Sequence, residues 1–176
     1  MKKYLRYIVI LCAAAVMLCG CKRADLSEFE IEYISDELPS TGQEYSEEDK
    51  KKIQDGITQW AKSYLLVDSN MSDEERSIAD ESLYESIVSD DEREAVREDR
   101  EEFYENQRVK LGMVTTVVED AFQVEYEGQA LGRVTCTVNI KGTRTGERFD
   151  RTYDLSLTIH YGDVLTVEEI DSIRWE

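Results

Sequence analysis

Arg133-Val134-Thr135-Cys136-Thr137-Val138-Asn139-Ile140-Lys141 alternates strictly between polar and apolar side chains. Successive side chains on an extended chain point to opposite faces, so Val134, Cys136, Val138 and Ile140 form one face and the polar residues the other. The same period of two runs from Phe149 to Tyr161. There Phe149, Tyr153, Leu155, Leu157, Ile159 and Tyr161 face in, while Asp150, Thr152, Asp154, Ser156, Thr158 and His160 face out. Upstream, from Val114 to Tyr126, the even positions are mainly apolar. These segments read as three half-buried strands with one face on a core and one in water.

The connections agree with those faces by parity. Thr143-Arg144-Thr145-Gly146 reads as an even loop, as the faces around Val134 and Leu157 require, and Glu127-Gly128-Gln129 as an odd one, as two strands burying even positions require. A fourth strand follows Gly162-Asp163 with Val164, Leu165, Val167, Ile170, Ile173 and Trp175, and its alternation breaks at Glu168-Glu169, where a bulge is expected.

Before the strands the period is helical. Ser46, Ser72 and Ser89 each stand three residues before a carboxylate, and the second and third read as capping boxes. Ile53, Ile57, Trp60, Tyr64 and Leu65 make an apolar stripe on the first helix; Ile78, Leu83 and Ile87 make a thinner one on the second. The third, about 90–108, is so charged that only Ala95, Val96, Phe103 and Tyr104 are expected to be buried, its remaining acids and arginines pairing along a solvated face. The expected fold is α+β: three N-terminal helices packed on one face of a curved, four-stranded antiparallel meander.

Element order, long strands and the ending Ile170-Asp171-Ser172-Ile173-Arg174-Trp175 resemble the NTF2-like superfamily, the cystatin-like α+β cone, over 46–176. The resemblance implies a pocket between helices and sheet, lined here by Trp60, Tyr64, Thr116, Asp120, Phe122, Tyr126, Tyr153 and Tyr161. Enzymes of that superfamily carry an acid/base pair there. Asp120 is the one inward candidate base and His160 alternates outward, while phosphate loops, nucleophile elbows and Cys-His dyads do not occur in the chain. One thiol and one imidazole in the domain cannot build a zinc site, and the acids lack the pattern of a calcium loop. The expectation is a noncatalytic domain without metal or cofactor.

The N-terminus supplies an address. Basic residues Lys2, Lys3 and Arg6 precede an apolar run from Tyr7 to Leu18, the layout of a secretory signal too short to span a bilayer. Leu18-Cys19-Gly20-Cys21 then resembles the lipobox of bacterial lipoproteins, with Cys19 where that family more often has Ala, Ser or Thr. The resemblance implies a diacylglyceryl anchor on Cys21, a signal peptide at 1–20, and a domain held at the cell membrane outside the cytoplasm. Removing residues 1–20 leaves 156 residues, and 18 cations then face 39 carboxylates, a formal charge of −21. Such a chain is repelled by nucleic-acid backbones and anionic headgroups and suits a basic protein partner. With Cys12, Cys19 and Cys21 in the signal or anchor, Cys136 stands alone and the core must hold the fold.

Residues 21–45 read as the anchor and an acidic flexible tether around Pro39. Within it Phe29-Glu30-Ile31-Glu32-Tyr33 alternates as a strand would, suited to docking on a sheet edge or to ordering on a partner. Two functions follow: a membrane-tethered, extracytoplasmic protein-interaction or assembly module, or a binder of a small apolar or aromatic ligand in the cone.

Overall fold

Three serines start three helices. Ser46 accepts the Asp49 N–H at 3.2 Å and opens α1, Glu47–Trp60; Ser72 opens α2, Asp73–Ser86; Ser89 opens α3, Asp90–Tyr104. At Ser72 the capping box is complete, since the Glu75 carboxylate takes the Ser72 N–H at 2.8 Å. At Ser89 only the serine half forms, because Glu92 turns to the backbone of Ile173. Burial raises the Glu92 pKa as a result. The α3 helix stops at Tyr104, short of Arg108, where Asn106 takes a left-handed φ of 54°.

The computed structural model describes residues 33, 34, 38 and 42–176. Cys21, the signal at 1–20 and the Phe29 to Glu32 part of the alternating segment lie outside the described residues. Five strands form one antiparallel sheet in sequential order: β1 Gln43–Glu44, β2 Val109–Tyr126, β3 Gln129–Arg144, β4 Glu147–His160 and β5 Thr166–Trp175. The expected four-stranded meander is therefore corrected to five strands. The addition, β1, pairs with Phe122 and Gln123 and is too short to leave a periodicity in the sequence.

The faces of β3 and β4 fall as the alternation requires. Val134 lies opposite Leu157, Cys136 opposite Leu155 and Val138 opposite Tyr153, all buried against Ile53, Ile57, Ala61 and Leu65. Both hairpins, however, close on two residues. Glu127-Gly128 and Thr145-Gly146 hold positive φ at both positions, the twist that suits a right-handed hairpin. An even β2–β3 loop still serves two strands that bury even positions because the register slips at Glu119, between Val118 and Asp120. Val114, Thr116 and Val118 face the helices before the slip and Ala121 after it, so Phe122, Val124 and Tyr126 turn to the outer face. The bulge expected in β5 is double, skipping Glu168 and Asp171.

The outer face is itself partly covered. Leu38 is buried with Val124 and Leu131, Ile34 packs on the same cluster, and the Ile34 N–H reaches Glu169 on β5 at 2.8 Å. Tyr33 extends the crossing to Arg93 on α3. Ile34, Leu38 and β1 thus strap the sheet from β5 to β2, and all lie in the stretch expected to be a flexible tether.

Cys136 lies in the middle of the main core, and burial pushes its thiol pKa up to about 12. Native protein is therefore expected to leave Cys136 unmodified by iodoacetamide at pH 8, with alkylation appearing only in denaturant. Peptide mass mapping reads this directly, and rapid native labelling would show that β3 is not in the core.

Candidate functional site

The eight residues expected to line one pocket are distributed over four places. Thr116 is buried and accepts the Thr58 hydroxyl at 2.8 Å, a bond that ties α1 to β2. Tyr153 is core, 4% exposed, with burial raising its pKa to about 12. Asp120 is exposed beside the β2 slip, and Phe122 and Tyr126 lie on the outer face, Tyr126 against the Leu38 cluster. Tyr161 stacks edge-on with Tyr45 at 5.4 Å and donates to Asp49 at 3.0 Å. Hydrogen bonds from Ser46 and Tyr161 lower the Asp49 pKa. Trp60 and Tyr64 meet at a hollow, a groove of about 520 Å³ bounded by Gly56, Ser82 and Val164 to Val167.

The space between helices and sheet is packed. Ile53, Ile57, Leu65, Leu66, Leu83, Ile87, Leu155, Leu157 and Ile170 are each essentially fully buried there. Two apolar expectations on the helices are corrected: Ile78 is 57% exposed, with Ala79 buried in its place, and Ala95 is exposed, while its neighbour Val96 is buried as expected. His160 is exposed, as its alternation required.

The residues the sequence hid are polar. After α1 the chain makes one π turn, Ala61–Leu65, closed by the Leu66 N–H on the Ala61 carbonyl at 3.4 Å. Arg100, read as part of a solvated face, is 4% exposed. It donates to the Tyr64 and Leu65 carbonyls at 3.1 and 2.5 Å and pairs with Asp80. The Tyr104 hydroxyl holds both the N–H and the carbonyl of Val67, at 2.6 and 2.8 Å. Asp68 and Ser69 then cap the start of β2 through the Leu111 and Val109 N–H groups. A long charged helix gives no sequence signal of which single arginine turns inward.

Carboxylates dominate the helical surface: Glu74, Glu81, Glu85, Asp91, Glu98 and Glu101 are all exposed. Among the described residues no group of His, Cys, Asp and Glu is placed to hold a metal ion, and no helix is long and apolar enough to cross a membrane. Comparison with protein-family models, with curated proteins and with solved structures returns no match for this chain.

Proposed function

We propose that this chain is a lipoprotein anchored through Cys21 to the cell membrane outside the cytoplasm, whose domain is built on the NTF2-like plan and works as a noncatalytic protein-interaction or assembly module. The observation that carries the reading is the filled interior: the site where a cone would hold a ligand is occupied by Ile53, Ile57 and Leu157, so recognition falls to surfaces. The exposed carboxylates of α2 and α3 suit a basic partner and repel nucleic acid. The groove at Trp60 and Tyr64 favours a second reading, a small apolar or aromatic ligand held at the rim.

In this reading the strap sets how far the domain stands from the bilayer. Eleven residues separate Cys21 from Tyr33, twelve Cα steps with a maximal reach of about 40 Å. Cys21→Ala is expected to move the protein from the membrane pellet to the soluble fraction, since two acyl chains are what makes such anchoring stable. A pellet unchanged by the substitution would contradict the anchor. The interaction reading is tested by photocrosslinkers placed at Glu98 and at Thr135 in intact cells. A discrete heavier band at either position is expected, and bare monomer at both would overturn it.

A further inference from the structure

The β3–β4 hairpin end of this acidic protein is basic. Arg108, Lys110, Lys141, Arg144, Arg148 and Arg151 gather where β2 begins and the hairpin turns. Between this hairpin and the C-terminal half of α3 lies a cleft of about 310 Å³, with Phe103 and Phe149 in edge-to-face contact at 5.3 Å in its wall. Two guanidinium groups lie over Phe103, Arg144 at 5.0 Å and Arg151 at 4.7 Å from the ring centre. Stacking of this kind uses the flat face of a guanidinium and leaves its N–H edge free for an oxyanion.

The donors are only partly used. Arg151 gives one nitrogen to Asp99 at 2.7 Å, while its Nη1 is buried without a hydrogen-bond partner among the described residues. Among the described residues neither Arg144 nor Arg148 forms a salt bridge. A buried guanidinium nitrogen left unpaired is costly, and a ligand oxygen would relieve that cost. The rim also carries Glu102 and Glu147, which limits the charge the cleft accepts. A phosphate dianion meets about twice the repulsion that a monoanion does, and two phenylalanines offer nothing to a bare inorganic ion.

We propose that this cleft binds a carboxylate carried on an apolar or aromatic stem, the carboxylate on the free edges of Arg144, Arg148 and Arg151 and the stem against Phe103 and Phe149. The stem can belong to a free organic acid or to a peptide C-terminus. The chain's net charge of −18 repels acids overall, and this cluster of cations offers one a local point of entry.

The test titrates the full chain, with arginine side chains labelled with ¹⁵N, with 3-phenylpropanoate and with N-acetyl-glycyl-phenylalanine as free acid and as amide. Saturable shifts of arginine Nε–Hε signals are expected with both acids and not with the amide, with dissociation constants on the order of millimolar for ligands of this size. Tighter binding of the peptide acid marks a C-terminus as the natural source, and tighter binding of phenylpropanoate marks a free acid. The exposed pair Arg144→Ala/Arg148→Ala should weaken binding by roughly tenfold or more while leaving the remaining spectrum in place. An equal response to the amide, no saturation, binding unaffected by the double substitution, or tighter binding of phenyl phosphate would each overturn the proposal.

Discussion

Leu157→Asp is expected to leave no folded protein. Leu157 is fully buried at the centre of β4, opposite Val134 on one side and Ile170 on the other. Truncating such a side chain to alanine costs about 2–5 kcal/mol, and a carboxylate there adds a desolvation penalty of several kcal/mol with no cation on that face of the neighbouring strands to offset it. The sum, about 5–10 kcal/mol, is comparable to the roughly 5–15 kcal/mol that holds a domain of this size together. Val138→Asp, opposite Tyr153, should behave in the same way. Thr135→Lys is the matched control: it is exposed on the outer face opposite Asp120, and its effect should stay within about 0.5 kcal/mol. Circular dichroism and urea titration of the three variants read the result. A cooperative transition in Leu157→Asp would mean that β4 presents its other face to the helices.

That prediction draws on the part of the fold that was legible from alternation alone. Strands β3 and β4 run without interruption, so side-chain parity is preserved from Gly132 to Arg144 and the core face can be read directly. Strand β2 carries one extra residue at Gly112 and another at Glu119, and everything beyond the second changes face relative to Val114–Val118. Side-chain parity holds only in a constant register, so it puts four residues past the slip, Asp120, Phe122, Val124 and Tyr126, on the wrong side, and three of the expected pocket residues, Asp120, Phe122 and Tyr126, go with them. The odd loop inferred from those faces was the same error in another form: the turn is even and the bulge supplies the odd residue. Helix starts were legible because an N-cap serine acts within three residues of itself. The strap was not, because Tyr33, Ile34 and Leu38 are held by residues more than fifty positions away, and no local pattern encodes that docking.

The second large effect falls on a residue that composition assigned to water. Arg100→Met is expected to destabilise the domain by about 3–5 kcal/mol, the range for breaking a buried ion pair by removing one partner. Two contributions of different origin lead to that figure. Asp80 is 31% exposed, so water screens part of the charge it would leave behind. The Leu65 carbonyl, whose bond to Arg100 is buried, has no such relief, and the Tyr64 carbonyl, whose bond is half-buried, has only part of it. They belong to the π turn, whose following residues Leu66 and Val67 are fully buried, and each carbonyl left without its donor costs about 1–3 kcal/mol. Lysine cannot substitute, because one ammonium does not reach three acceptors in the plane of a guanidinium fork; Arg100→Lys should recover less than half of the loss. Asp80→Asn, which keeps an acceptor for Arg100 and removes only the screened charge, should cost about 1 kcal/mol. If the carbonyls are what matters, the order of urea midpoints is wild type, Asp80→Asn, Arg100→Lys, Arg100→Met. Equal losses for Asp80→Asn and Arg100→Met would instead assign the effect to the ion pair, and the π turn would then need no arginine to hold it.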